Sequence, residues 1–260
     1  MGKSLKVIVA VHKPYDVLQD ETYLPVQVGA ALAEGIGFER DDQGISISEK
    51  NPLYCELTGL YWAWKNLQAD ELGLMHYRRY LGNPGRCVPW KTRRERIATG
   101  EELQRYLEKT PIILPKKRHY FIESREEQYI HAHGRAGIDV LRAVLKARTP
   151  SYLPAFERSM SRSSGHCFNI FIMRRDLCDA YCQWMFDTLF EVERIMRETM
   201  PQEVKPRLFG FIAERMLDCW VETNGYACTE LPVVNMEKQK WIGKIWRFIK
   251  RKYQYPRIRE

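Results

Sequence analysis

Short apolar runs alternate with amphipathic segments along most of the 260-residue chain. The run LKVIVAV, residues 5–11, is rich in β-branched side chains, as are strands that a parallel sheet buries on both faces. Similar runs at 72–75, 110–114 and 167–173 predict three further strands, and a last strand is predicted near 229–236. Strands separated by helical segments indicate an α/β fold with a mostly parallel central sheet flanked by helices.

Apolar residues at helical spacing predict the intervening helices. The first spans residues 52–68, where Asn51 is the expected N-cap and Pro52 the first-turn proline. Asp176 is the expected N-cap of a long helix that ends near residue 198. The remaining helical segments are 101–108, the helix-rich stretch 124–162, and a late helix over 209–225 that Asn224 and Gly225 close.

The net charge of +8 is concentrated at the C-terminus. Residues 237–260 contain nine basic residues and two acidic ones, so the rest of the chain is close to neutral. This distribution argues against a surface built to bind nucleic acid. The seven cysteines show no paired metal-ligand spacing and predict reduced thiols in a cytosolic protein. We therefore predict one domain over residues 1–240, followed by a basic tail over 241–260.

The tail is amphipathic when it is drawn as a helix with about 100° per residue. Its apolar face holds Trp241, Ile242, Ile245, Trp246, Phe248, Ile249 and Tyr253, and its basic face holds Lys244, Arg247, Lys250 and Arg251, with Lys252 as the exception. Tryptophans opposite a cationic face suit a helix that lies on an anionic membrane. The alternative is a C-terminal helix that docks on the body of the protein or on a second copy.

Two predicted strands end in conspicuously polar sequences. Ligands of open α/β sheets bind outside the carboxyl ends of the strands, and the planar guanidinium group donates paired hydrogen bonds to phosphate oxygens. These strand ends therefore predict a site for a diphosphate. The alternative is that the arginines pair with surface carboxylates and the tyrosines fill the core. The residues are His12, Lys13 and Tyr15 after the first strand and His76, Tyr77, Arg78 and Arg79 after the strand at 72–75.

Six blocks of sequence carry a resemblance to a known family. In chain order they are AVHKPY, ISEKNPLYCELTGLYWAWKNL, GLMHYRRYL, ILPKKR, SGHCFNIFIM and FGFIAERMLD. Together they resemble a family of bacterial capsular and exopolysaccharide glycosyltransferases, long catalogued as a domain of unknown function, that includes galactofuranosyltransferases. The resemblance extends from about Lys6 to Trp241. It implies a GT-A-like, Rossmann-like fold and transfer of a sugar from a UDP donor to a growing glycan.

The resemblance also suggests roles for residues outside the strand ends. Glu214 matches the acidic position that opens the late helix in many inverting enzymes, so it is the candidate general base. Its alternative is an ordinary helical glutamate that contacts Arg215 or Lys205.

Five further residues complete the predicted site. Lys50 and Asn51 are assigned to the nucleotide, and His166, Asn169 and Glu56 to sugar or acceptor hydroxyl groups. The alternative for His166 is that its side chain forms hydrogen bonds with the local backbone, and the alternative for Asn51 is that it only caps the helix.

The usual Asp-x-Asp metal motif is missing from the end of the 72–75 strand. Asp41 and Asp42 lie in a Gly-rich loop for which no preceding strand is predicted, and Asp70 precedes a strand instead of following it. We therefore assign no metal ligands and no cofactor, and expect Arg and Lys to neutralise the leaving UDP. The alternative is Mn²⁺ or Mg²⁺ bound by another carboxylate.

The sequence thus predicts an inverting glycosyltransferase of capsular, O-antigen or exopolysaccharide synthesis. Galactofuranose is the first expectation for the donor sugar, and the acceptor is a lipid-linked or other glycan. The expected location is the cytoplasmic face of the bacterial inner membrane. A different class stays open: a non-catalytic, membrane-attached binding subunit of a polysaccharide assembly complex.

Overall fold

The computed structural model describes residues 3–237, so the predicted basic tail 241–260 lies outside the described residues. Within the described range the chain forms a sheet-based α/β fold. The strands are β1 (Leu5–Val11), β2 (Tyr23–Gln27), β3 (Glu39–Arg40), β4 (Glu71–His76), β5 (Arg79–Leu81), β6 (Ile112–Pro115), β7 (Arg118–His119), β8 (Ser164–Gly165), β9 (Phe171–Arg174), β10 (Cys228–Leu231) and β11 (Val233–Asn235). The α-helices are α1 (Asn51–Tyr54), α2 (Leu57–Asn66), α3 (Arg93–Arg96), α4 (Gly100–Leu107), α5 (Arg125–His133), α6 (Ala136–Arg148), α7 (Leu153–Ser161), α8 (Arg175–Thr199) and α9 (Leu208–Asn224).

The main sheet has the strand order β10-β6-β9-β4-β1-β2-β3, and β5 joins β4 to β11. β1 runs parallel to both β2 and β4, and β6 runs parallel to β10. β9 is antiparallel between β4 and β6. The residues that precede β9 therefore lie at the same edge of the sheet as those that follow β1, β4 and β6. The predicted α/β class, with a mostly parallel sheet between helices, is confirmed.

Both faces of the sheet are buried, which explains the unbroken apolar run of β1. Ile8 and Ala10 point into a core that includes side chains of α2, α6, α7, α8 and α9. Val7 and Val9 point to the opposite face, where Leu103 of α4 packs. No helix among residues 3–237 is both long and apolar enough to span a bilayer.

Two predicted elements are interrupted, and both interruptions border the candidate site. The helix predicted at 52–68 breaks at Cys55, whose φ of 54° and ψ of −131° are not helical. The strand predicted at 167–173 begins only at Phe171, because Phe168 and Asn169 adopt φ angles of 76° and 54°. Left-handed backbone of this kind ends regular structure.

β2 was not among the predicted strands, and Pro25 lies in its middle. The backbone N–H of Val28 donates to the Val11 carbonyl of β1 at 2.9 Å. The backbone nitrogens of β2 point alternately towards β1 and away from it. The nitrogen of Pro25, which carries no hydrogen, therefore points away from β1. On that side β3 begins to pair only at Val26. The proline costs no ladder hydrogen bond, as is usual for proline within sheets.

Two smaller predictions at element ends were wrong. α8 begins at Arg175, and the carboxylate of Asp176 pairs with the Arg174 guanidinium at 2.8 Å instead of capping the helix. The single strand predicted near 229–236 is two strands, β10 and β11, separated at Pro232.

Candidate active site

The polar residues that follow β1 and β4 lie together at one edge of the sheet. The two strands are parallel neighbours, with Ala10 opposite His76. The ring centroid of His12 lies 6.1 Å from that of His76 and 5.3 Å from that of Tyr77. The Tyr15 ring lies 4.7 Å from the Tyr77 ring. We call this group the strand-end cluster; its members are His12, Lys13, Tyr15, His76, Tyr77, Arg78 and Arg79.

Cations of the cluster lie beside aromatic rings. Lys13 Nζ is 5.9 Å from the centroid of the Tyr77 ring, and the Arg78 guanidinium carbon is 5.2 Å from it. The Arg79 guanidinium carbon is 4.4 Å from the ring centroid of Phe168. Tyr77 Oη and Arg78 Nε are buried and find no hydrogen-bond partner among residues 3–237. Since buried polar groups are normally paired, these two atoms are suited to contact a ligand.

The two imidazoles of the cluster are neutral near pH 7. Burial, followed by the charges of Arg78 and Arg79, lowers the pKa of His76 to about 3. Burial and then Arg78 and Lys13 also lower the pKa of His12. Nδ1 of His76 accepts the backbone N–H of Arg78 at 3.2 Å, which leaves the proton of the neutral ring on Nε2. Arg78 lies 3.7 Å from the exposed carboxylate of Glu237. The cluster therefore offers loosely paired positive charge and neutral hydrogen-bonding groups, which together suit an anion.

A second group of predicted site residues lies beside the strand-end cluster and comes from other parts of the chain. The side-chain amide of Asn169 donates to a Glu56 carboxylate oxygen at 2.8 Å and to the Gly210 carbonyl at 3.1 Å. The charges of Glu56 and Glu214 both act on Arg79 of the strand-end cluster. Glu56, Asn169 and Glu214, three predicted site residues, are therefore brought together beside Arg79.

The Glu56 carboxyl group has an unusual environment. Its burial raises its pKa, and the negative charge of Glu214 adds to this effect. The hydrogen bond from Asn169 and the charge of Arg207 act in the opposite direction but do not cancel the increase. A carboxyl group with a raised pKa is a stronger base than an exposed one.

Arg207 was not predicted as a site residue. It immediately precedes α9, and its charge acts on His12 and His76 as well as on Glu56. Its backbone N–H donates to the Pro52 carbonyl at 2.7 Å, which ties the start of α9 to α1. Its only signal in the sequence is its place between Pro206 and the late helix.

Backbone strain is concentrated around these groups. Four non-glycine residues that border them have positive φ: Cys55 at 54°, Phe168 at 76°, Asn169 at 54° and Arg207 at 67°. Such conformations cost on the order of 1–3 kcal/mol each and persist only where the surrounding structure fixes them. Their positions next to Glu56 and Arg79 are typical of a functional site.

Lys50 and Asn51, which were predicted to contact the nucleotide, have other partners. Lys50 Nζ pairs with Glu193 of α8 at 2.9 Å, and the Tyr54 hydroxyl donates to the same carboxylate at 2.8 Å. Asn51 is the first residue of α1 instead of its N-cap, and its amide donates to the Cys55 carbonyl at 2.8 Å. Asn51 thus stabilises the break in the helix that presents Glu56.

His166 lies in a buried network instead of at an open position. Its Nδ1 forms a hydrogen bond with Asp218 of α9, and its Nε2 lies 3.2 Å from Glu230. Asp218 also accepts hydrogen bonds from Arg125 and from the His166 backbone. Burial opposes ionisation of Asp218, but His166 and Arg125 outweigh it and lower the pKa of the carboxyl group. Both ring nitrogens of His166 are occupied, so we leave it out of the proposed sugar-binding residues.

Gly165 allows the Arg125 side chain of this network to pack against the backbone. The Arg125 guanidinium lies directly against the Cα of Gly165, where any side chain would collide with it. The glycine of the SGH sequence is therefore required by the close approach of a buried cation. We call Arg125, His166, Asp218 and Glu230 the His166 network.

The acidic pair Asp41-Asp42 has a structural role. Asp41 is buried and accepts the backbone N–H groups of Gly29 and Ala30, each at 3.0 Å. Asp42 pairs with Arg40 at 2.6 Å. The expectation that no strand precedes this pair was wrong, because β3 does. Across residues 3–237, no three His, Cys, Asp or Glu side chains are grouped so as to hold a metal ion.

Comparisons with known proteins agree with the fold. No curated protein matches the chain. Among solved structures, the WbbM bifunctional glycosyltransferase in its apo form is similar over 90% of this chain, with 30% identity and a TM-score of 0.78. This chain spans 46% of that protein, about half its length. The profile of the family described as "Domain of unknown function (DUF4422)" matches residues 6–225, and the chain therefore belongs to this family.

Proposed function

We propose that this protein is a glycosyltransferase that moves a sugar from a nucleotide donor to a glycan or lipid-linked acceptor. The observation that carries the proposal is the group of cations in the strand-end cluster, which lies beside the Glu56 and Glu214 carboxyl groups. The similarity to a bifunctional glycosyltransferase supports it. UDP-galactofuranose is the first donor to test. The product belongs to a capsular, O-antigen or exopolysaccharide glycan.

The strand-end cluster holds the diphosphate of the donor in this proposal. Arg78 and Arg79 donate paired hydrogen bonds to the phosphate oxygens, and Lys13 adds a point charge. Tyr77 Oη and Arg78 Nε gain the partners that they lack in the unliganded protein. His12, Tyr15 and His76 line the same site with neutral groups that donate or accept hydrogen bonds.

The reaction inverts the configuration at the anomeric carbon. A carboxylate of the Glu56 and Glu214 pair takes the proton of the acceptor hydroxyl, and the sequence favours Glu214. The negative charge that develops on the leaving UDP is stabilised by the cations of the cluster. Turnover is therefore expected to continue in the presence of a chelator, whereas strict dependence on Mn²⁺ or Mg²⁺ would overturn this part of the proposal.

The decisive experiment measures UDP release by the purified full chain across a panel of nucleotide-sugars. Release with at least one donor, and its collapse in Arg78→Ala or Arg79→Ala, is the expected result. Arg174→Ala is the matched control, because Arg174 ends β9 at the opposite edge of the sheet and pairs with Asp176. A non-catalytic binding subunit would release no UDP with any donor, so that outcome would favour the alternative function.

In this proposal the reaction takes place at the cytoplasmic face of the inner membrane, and the sequence of the tail supports this location. Its apolar face and its cluster of lysines and arginines suit an anionic bilayer, which is where lipid-linked acceptors are available. Removal of residues 241–260 is expected to abolish sedimentation with anionic liposomes and to leave transfer to a soluble acceptor intact. Liposome binding equal to that of the full chain would show that the tail is not the membrane contact.

A further inference from the structure

The Glu56 carboxylate is held in place from two directions. Cys55, with its non-helical φ and ψ, turns the chain so that Glu56 precedes α2 instead of continuing α1. The Asn169 amide then donates to the carboxylate at 2.8 Å. A carboxylate fixed by a break in the chain and by a hydrogen bond is already oriented for a reaction, as an effective catalytic group must be.

The orientation of the Asn169 side chain follows from its partners. Its amide nitrogen faces two acceptors, the Glu56 carboxylate and the Gly210 carbonyl, so the nitrogen and the oxygen cannot be exchanged. The amide oxygen Oδ1 is buried and has no partner among residues 3–237, and Asn169 as a whole is only 4% exposed. An unpaired buried acceptor is costly unless a ligand supplies a donor. A hydroxyl group is such a donor.

Charged groups from two other parts of the chain, β5 and the first half of α9 with the residue before it, act on or respond to Glu56. Glu214 of α9 and Arg207, which precedes α9, act on it with opposite signs, and Arg79 of β5 completes the set. The carboxyl group therefore lies between the cations that suit a phosphate and the unpaired amide oxygen that suits a hydroxyl. A proton acceptor must be within hydrogen-bond reach of the acceptor hydroxyl, which attacks the anomeric carbon on the face opposite the leaving phosphate and loses its proton as it does so.

We propose that Glu56, and not Glu214, takes the proton from the acceptor hydroxyl, and that Asn169 orients Glu56 and binds a neighbouring hydroxyl of the acceptor sugar. This inference rests on the proposed glycosyltransferase function. The acceptor oxygen forms a bond with the anomeric carbon while the bond from that carbon to the diphosphate oxygen breaks. The proton moves to the Glu56 carboxylate, and the electron pair of the broken bond leaves with UDP. Asn169 is a positioning residue that also contacts substrate.

Glu214 then acts through its charge. Its negative charge makes Glu56 more basic and offsets part of the decrease in the pKa of Arg79 that burial and Arg78 cause. Glu214 is thus a positioning residue for both groups. This assignment reverses the one that the sequence favours.

The test compares Glu56→Gln with Glu214→Gln across pH in the full chain. Glu56→Gln is expected to lower kcat by about 10²- to 10⁴-fold and to abolish the loss of activity at low pH, while UDP affinity measured by calorimetry stays within about threefold. Glu214→Gln is expected to keep a low-pH limb, shifted to lower pH because Glu56 loses a negative neighbour. Glu222→Gln, a carboxylate of α9 that pairs with Arg158 and Arg162 on the surface, is the matched control.

The opposite pattern overturns the inference: Glu56→Gln retains the native low-pH limb, and Glu214→Gln loses it. If Glu56→Gln fails to bind UDP, Glu56→Asp replaces it. A displaced low-pH limb in Glu56→Asp supports the assignment, and an unchanged limb overturns it. Failure of the function itself is distinguishable, because the native chain would then release no UDP with any donor, and that result would also remove this inference.

Discussion

Two regions of this molecule have histidines near strand ends, and their charges are arranged in opposite ways. In the strand-end cluster, His76 is surrounded by cations, and burial and positive charge keep its ring neutral. In the His166 network, the histidine ring lies between Asp218 and Glu230, and Arg125 pairs with Asp218. In the first region the nearest carboxylate of an ion pair is the exposed Glu237, 3.7 Å from Arg78, whereas in the second the buried Asp218 is bonded directly to Arg125 and His166.

The difference separates a binding surface from a scaffold. Breaking a buried ion pair costs stability, and its paired groups have little hydrogen-bonding capacity left for a ligand. Buried or half-buried charges that repel each other reduce the stability of the unliganded protein and favour a bound anion. We therefore expect substitutions in the His166 network to change stability, and substitutions in the strand-end cluster to change ligand binding.

Asp218→Ala should have the largest effect. It leaves Arg125, whose side chain is 1% exposed, as an uncompensated buried charge. Loss of one partner of a buried pair typically costs about 3–5 kcal/mol. Urea unfolding of the variant should show a decrease of this size in the free energy of unfolding.

Glu222→Ala is the control for that experiment, because Glu222 lies on the same helix and pairs with the exposed Arg158. Surface pairs contribute about 0–1 kcal/mol, so its stability should stay close to native. Equal losses in the two variants would remove the distinction between the balanced network and the surface.

Arg79→Ala should weaken binding of UDP more than it changes stability. A hydrogen bond to a charged group contributes about 1.5–3 kcal/mol, which corresponds to roughly a 10- to 150-fold increase in Kd by calorimetry. Arg79→Lys should lie between the variant and the native protein, because lysine keeps the charge but loses the planar group that stacks on Phe168. UDP affinity equal to native in Arg79→Ala would contradict the assignment of the cluster to phosphate.

Local patterns in the sequence were sufficient for the elements that position the cluster. β1 was predicted with its observed bounds, Leu5–Val11, because a run of β-branched residues ends at a polar stretch that contains Pro14. α8 and α9 were predicted within about two residues by their apolar periodicity and by Gly225, which has φ 67°. The convergence of the two strand ends followed from parallel pairing alone.

Features that depend on distant contacts could not be predicted in this way. Asp218 and Arg125 are 93 residues apart in sequence, so nothing local shows that His166 lies beside them. The breaks at Cys55 and Asn169 lie inside apolar runs that favour regular structure. Positive φ at non-glycine residues is imposed by tertiary packing. The sequence therefore identified Glu56 and Asn169 as candidates but not their contact.

The pH dependence of stability should reveal His76. Its pKa is lowered from the usual 6.5 to about 3, so the unfolded chain takes up a proton between these values and the folded chain does not. The contribution of neutral His76 to the free energy of unfolding is therefore fully present above pH 6.5 and is lost as the pH falls towards 3. The loss between pH 7 and pH 5 should be about 1–2 kcal/mol smaller in His76→Gln than in the native protein.

Urea unfolding at the two pH values measures this difference. Added UDP should also reduce the loss in the native protein, because a bound phosphate favours protonated His76. The same pH dependence in the variant and the native protein would mean that burial and the neighbouring cations do not lower the pKa of this ring.

Tyr77→Phe should have the smallest effect and gives the sharpest contrast. Tyr77 and Tyr54 are both fully buried, but only the Tyr54 hydroxyl has a partner, Glu193, among the described residues. Tyr54→Phe should therefore cost about 1.5–3 kcal/mol in unfolding free energy, because its partner is a carboxylate, whereas Tyr77→Phe should cost none. Tyr77→Phe should instead weaken UDP binding by about 0.5–1.5 kcal/mol, since the hydroxyl is needed only when phosphate is present. A stability loss in Tyr77→Phe as large as that in Tyr54→Phe, with unchanged UDP affinity, would place Tyr77 in the scaffold and not in the binding site.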